Sequence, residues 1–139
     1  MRFERRVASA HVDTLAQVFG DVNPLHMDAA AARAAGFERP IAQGAVLVCF
    51  LSEIIGRRLG AVAPIFCDLE ISFERPFYLN DLLAFELEPR HRSTALAATA
   101  YAFTVTRAGE RVARGEFLVK DGALSANGAA ANASPAPSR

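Results

Sequence analysis

The stretch "AVLVCFLSEII", residues 45 to 55, constrains the fold more than any other part of the chain, because apolar side chains cover it on nearly every side. Only Ser52 and Glu53 interrupt it. A helix that is apolar all round has no solvated face, so it belongs inside the protein and the remaining elements must surround it. Gly56 and the Arg57/Arg58 pair suit its C-terminal end, where cations oppose the negative end of the helix dipole. The prediction is a single long central helix of roughly four or five turns.

The surrounding layer is read from a different period. In "IFCDLEISFERPF" the apolar residues Ile65, Cys67, Leu69, Ile71 and Phe73 alternate with mostly polar ones, as in a half-buried strand. "FERRVA", "LLAFELEPR", "TALAATAYAFTVTR" and "ERVARGEFLVK" are further strands, with "RAGE" as the turn between the last two. An antiparallel sheet of about five strands wrapped around one long helix is an α+β architecture. Two lesser helices precede the central one. "HVDTLAQVF" aligns Val12, Leu15, Ala16 and Phe19 on one face and stops at Gly20, while Asp28 caps "AAAARAAG", which closes at Gly36.

With 139 residues, 52% of them hydrophobic, the sequence fits one domain, expected over residues 1–121. Residues 122–139 carry almost no large apolar side chain and are rich in Ala, Ser, Asn, Gly and Pro, so a flexible tail is expected there. Fifteen basic residues balance fifteen acidic ones, and no basic cluster accompanies an aromatic row, which argues against a nucleic-acid partner. The apolar run of the central helix is broken by polar residues, and "MRFERRVASA" lacks the apolar core of a signal peptide. The expectation is a cytoplasmic protein with no membrane partner. Cys49 and Cys67 lie in apolar stretches without metal-ligand or redox spacing and are expected to be reduced and buried.

One segment carries chemistry. "GDVNPLH", residues 20 to 26, holds Asp21 and His26 on a connection pinned by Asn23-Pro24, where the proline fixes its own φ and biases Asn23 away from the helical region. A carboxylate and an imidazole aimed at one point can hold a water molecule, one group taking its proton while the other donates one to a substrate. The competing reading is a loop histidine with a surface or capping role. A metal site is disfavoured, since only Asp28 stands nearby and no second histidine has ligand spacing. Gly44 stands at the start of the central helix, where free N–H groups and a missing side chain let a ligand carbonyl approach; alternatively it serves tight packing alone. Ser52 lies a little over two turns further along the same side, either bonding a loop group near the Asp/His pair or satisfied within the core.

Three segments in order and spacing, "GDVNPLHMD", "FERPIAQGAVL" and "SFERPFYLNDLL", resemble the (R)-specific enoyl-CoA hydratases and MaoC-like dehydratases of the hotdog superfamily, over roughly residues 10 to 120. The resemblance implies a hotdog fold, a sheet wrapped around a central helix, paired into a homodimer with a continuous sheet. It implies catalytic roles for Asp21 and His26, with Asn23 in the same loop. It also implies an oxyanion or substrate-binding role for Gly44, with Gln43 beside it and Ser52 in support. The implied reaction is reversible syn addition of water to a trans-2-enoyl thioester of CoA or acyl-carrier protein, with no metal and no other cofactor. Gln43 stands where the family usually has histidine, Phe19 where it often has serine, and Asn80 where it has glycine. A hotdog thioesterase, or a non-catalytic acyl-binding subunit of a heterodimer, are the alternatives. Arg39 and Arg75 are candidates for contact with a carrier phosphate, and Phe50, Phe66 and Phe73 for the acyl end of the pocket.

Overall fold

The computed structural model describes residues 1–59 and 63–122. Five strands and four helices follow in the order β1 (Arg2–Arg6), α1 (Ser9–Phe19), α2 (Pro24–Met27), α3 (Ala29–Ala34), α4 (Ala45–Arg58), β2 (Pro64–Phe73), β3 (Leu82–Ser93), β4 (Ala98–Arg107) and β5 (Glu110–Asp121). All pairings are antiparallel, in the sheet order β1-β3-β4-β5-β2. Consecutive strands β1 and β2 therefore stand at opposite edges, and the whole helical segment spans the distance between them.

The core sits where α4 meets the sheet. Val46, Leu47, Phe50, Leu51, Ile54 and Ile55 of α4 pack with Leu83, Phe85 and Leu87 of β3, Phe103 and Val105 of β4, and Phe117 and Val119 of β5. Each fully buried side chain of this kind contributes roughly 1.5–3 kcal/mol, which makes this layer the main stabilising term. Glu53, a polar residue in an apolar helix, is explained by Arg5 on β1, whose Nε donates to its Oε2 at 2.9 Å.

The expected enclosure of α4 is incomplete. Ala45, Cys49, Ser52 and Gly56 form an exposed stripe along the helix. Cys49 is therefore not buried, and neither is Cys67. The reason for the second lies in β2, where a bulge between Phe66 and Asp68 reverses the alternation. Phe66, Leu69 and Ile71 pack against the core, while Ile65 is 53% exposed. Phe73, expected on the inner face, is 52% exposed.

Smaller departures have local causes. Helix α1 begins two residues earlier than the apolar pattern, because His11 Nδ1 accepts from the Ala8 N–H at 3.0 Å and supplies the cap that an alanine cannot. Its C-terminus follows expectation, with Gly20 left-handed at φ 71°. Phe19, however, does not join the buried face and is 74% exposed. Strand β3 runs past Pro89 to Ser93. Leu87 N–H bonds Met1 O at 2.8 Å, so two residues on, the nitrogen of Pro89 faces the side where β1 has already ended. Strand β5 ends at Asp121; the expected tail, from residue 123 onward, lies outside the described residues. No helix among the described residues is long and apolar enough to cross a membrane.

Candidate active site

The segment holding the acid and the histidine is more ordered than a pinned loop. After the left-handed Gly20, Asp21 N–H bonds back to Leu15 O at 3.3 Å, and Asn23 then caps a single helical turn, α2, by accepting from Leu25 N–H at 3.0 Å. Pro24 occupies the first helical position, where its missing N–H costs nothing. Asp28 closes α2 and caps α3, accepting from Ala30 and Ala31 at 2.7 and 3.2 Å. The side chains of Asn23 and Asp28 are thus engaged with backbone, and Asn23 shapes the turn that carries His26.

His26 is held against Ile41. Its Nδ1 lies 2.8 Å from Ile41 O, and Ile41 N–H in turn bonds Leu25 O at 3.0 Å. A carbonyl only accepts, so this contact puts a proton on Nδ1 and makes Nε2 the acceptor nitrogen of the neutral tautomer. Ile41 is itself fixed from the other side by a bridge to Tyr78, and Ala42 N–H bonds Phe77 O at 2.8 Å. Nothing in the sequence flags Ile41, because its contribution is a backbone carbonyl.

Two residues after Ala42 the chain enters α4. Gly44 is its N-cap residue, and the Gly44 N–H donates to no group among the described residues. A side chain at Gly44 would meet the ring of Phe73 at 2.8 Å. The glycine therefore permits close packing against Phe73, and its N–H has no acceptor among the described residues. A cavity of about 430 Å³ is lined by His26, Ile41, Gly44, Phe73 and Arg75 among others, and brings the imidazole and the helix start to one space. A second cavity of about 310 Å³ adjoins it through His26, Ile41 and Ala42, with Arg39 at its wall. Arg39 lies over the Tyr78 ring at 4.8 Å and 3.8 Å from Asp81, so one oriented cation borders each cavity.

The remaining expected residues fall outside this cluster. Asp21 is half-buried, but its carboxylate makes no hydrogen bond among the described residues, and it lines neither cavity. Ser52 is exposed on the open stripe of α4, with no hydrogen bond from its hydroxyl among the described residues. Gln43 is buried at 1% exposure and lines neither of these two cavities. Its Nε2 donates to Val12 O and Asp21 O at 3.4 and 3.5 Å, and its Oε1 has no partner among the described residues. A stranded buried acceptor of this kind costs about 1–3 kcal/mol. Phe50 and Phe66 belong to the core side, leaving Phe73 as the phenylalanine of the three that reaches the cavity with Gly44. Asn80 has φ 70°, a left-handed conformation that glycine and asparagine both tolerate, which explains the asparagine at this turn. Among the described residues no group of three or more His, Cys, Asp or Glu side chains is placed to hold a metal ion.

An antiparallel five-stranded sheet carrying one long helix, with a histidine and the helix start opening onto the same cavity, is a hotdog fold with an equipped pocket. The family model described as "MaoC like domain" matches residues 1–109, and the chain belongs to that family. It is 32% identical over 120 residues to the (R)-specific enoyl-CoA hydratase of Aeromonas caviae, covering 86% of this chain and 90% of the relative. It is 27% identical over 122 residues to the 3-hydroxybutyryl-CoA dehydratase of Methylorubrum extorquens, covering 84% and 74%. Among solved structures, the (R)-hydratase from A. caviae involved in PHA biosynthesis superposes with a TM-score of 0.79 at 29% identity, over 86% of this chain and 92% of that one. The unliganded R-hydratase PhaJ1 from Pseudomonas aeruginosa gives 0.78 at 30%, over 87% and 78%. These relatives place the chain among hydratases and dehydratases, a hydro-lyase at family level.

Proposed function

We propose that this chain is an (R)-specific enoyl-CoA hydratase, working reversibly as a 3-hydroxyacyl-thioester dehydratase, with Asp21 and His26 as its acid–base pair. The observation that carries this reading is the pinned imidazole. His26 Nδ1 is held by Ile41 O, and His26 lines the same cavity as Gly44, whose N–H has no acceptor among the described residues. In the hydration direction, Nε2 takes a proton from water as the water oxygen bonds to C3 of the enoyl thioester. The Asp21 carboxylate accepts the other hydrogen of that water and orients it. Negative charge passes to the thioester oxygen, where the Gly44 N–H at the positive end of α4 stabilises it. The imidazolium then returns a proton to C2, so water has been added across one face and both catalytic groups are restored. The functional unit in this proposal is a homodimer; the names of the relatives support a CoA thioester as the substrate.

The test follows the loss of enoyl conjugation by ultraviolet absorbance with trans-2-enoyl-CoA substrates of graded length, together with product chirality and free-thiol release. The wild type should give (R)-3-hydroxyacyl-CoA without thiol release. His26→Ala and Asp21→Asn should each lower kcat by ~10² to 10⁴ while melting like the wild type. Near-normal turnover in either variant sinks the mechanism, and thiol release without hydration would make the protein a thioesterase.

A further inference from the structure

Gln43 is the one buried polar side chain among the described residues, and it stands immediately before Gly44. An amide removed from water that uses only its donor half is a poor stabilising device. An apolar side chain of equal length would fill the same space without stranding an acceptor. Its position is what distinguishes it. Val12 lies within α1, Asp21 on the exit from α1 and Gln43 at the threshold of α4, so one amide spans three parts of the chain. No other side chain among the described residues hydrogen-bonds any residue from 20 to 22. The short stretch from Ile41 to Gly44 thus offers three features in succession: a carbonyl that orients His26, an amide on the Asp21 backbone carbonyl, and a glycine that lines the cavity.

We infer that Gln43 is a positioning residue that keeps the Asp21 segment in register with His26 and Gly44, acting on the reaction through Asp21 without touching substrate. Its effect on turnover rests on the hydratase reading; its hold on the Asp21 segment does not. The two bonds are long, so the amide contributes little to global stability and acts on the local hold of the turn. A segment released from such a guide holds its carboxylate less firmly, and small misplacements of a reacting group cost large factors in rate.

The experiment compares the full chain with Gln43→Met by thermal melting, by amide hydrogen exchange and by steady-state hydration of a trans-2-enoyl-CoA. The expected result has three parts. The variant melts no more than about 3 °C below the wild type. Exchange over residues 20 to 26 rises about tenfold or more while the core of α4 is unchanged. Meanwhile kcat falls about tenfold or more with KM within about threefold. Unchanged exchange over residues 20 to 26 overturns the inference, whatever the activity. So does a large loss of melting temperature or failure to fold, because Gln43 would then be a structural residue. A loss confined to KM overturns it too, since that points to direct substrate contact. If exchange rises but the wild type hydrates no enoyl thioester, the hold on Asp21 stands and only the hydratase reading falls.

Discussion

Glu74 follows β2, accepts from Arg111 Nε at 2.8 Å and forms an ion pair with Arg114, whose Nε lies 2.9 Å from its Oε1; both arginines are on β5. The hydrogen bond from Arg111 is the largest cause of a carboxyl pKa held below its ordinary value; burial opposes it, and the charges of Arg111, Arg114 and Arg75 add to the lowering. A group whose folded pKa is depressed contributes stability above its unfolded pKa and loses it as pH falls through the folded value. Glu74→Gln should therefore lower the melting temperature near neutrality and shrink the loss on acidification below the ordinary carboxylate range. Melting curves across that acid range check it, and parallel curves for both proteins would refute it. This clamp left no mark in the sequence, since its partners lie 37 and 40 positions away. Residues whose chemistry is in the side chain were easier to read. His26 was legible from its side chain and Gly44 from the lack of one, and both line one cavity, whereas Ile41 and the solitary use of Gln43 were not, because a carbonyl and a buried contact have no local pattern.

At the scale of elements, the turn between β4 and β5 shows what local sequence can and cannot specify. "RAGE" marks the turn, and in the structure both central residues have positive φ, Ala108 at 49° and Gly109 at 84°. Such a turn matches the twist of the flanking strands but asks an alanine to occupy a left-handed conformation, at a cost of about 1–2 kcal/mol. Ala108→Asn should recover about 1 kcal/mol, because asparagine tolerates that conformation, and denaturant titration would read it as a higher midpoint at unchanged m. A midpoint at or below the wild type's would count against the assigned turn. Strand identities came through from their two-residue period, and the bulge at Cys67 did not, since one extra residue reverses the inward face without altering local composition. The single turn α2 was hidden for a different reason. Four residues cannot display helical periodicity, and only the pairing of Asn23 with Pro24 hinted at a cap followed by a first helical residue.

At the scale of the whole molecule, one side of the single chain is left open in two adjoining ways. Among the described residues, strand β2, ten residues long, is paired only with β5 and presents its other edge unpaired. Helix α4, which contacts β2, exposes the small side chains of Ala45, Cys49, Ser52 and Gly56. Ile65 and Phe73 stand exposed near the two ends of the same strand. A free edge invites continuation of the sheet, and a stripe of small residues lets a second helix approach closely, so a twofold pairing about β2 and α4 would cover both at once. It would also cover Phe73, which lines the cavity with His26 and Gly44, and would so link assembly to activity. Ser52→Arg places a charged, bulky side chain in the middle of that stripe without touching the core, since Ser52 is exposed. The wild type should have the mass of two chains by light scattering. The variant should have the mass of one chain, keep its secondary structure and lose most of its hydration activity. A variant that remains dimeric would place the interface elsewhere, and a wild type of single-chain mass would mean that the open edge of β2 is protected by the chain's own charge and bulge.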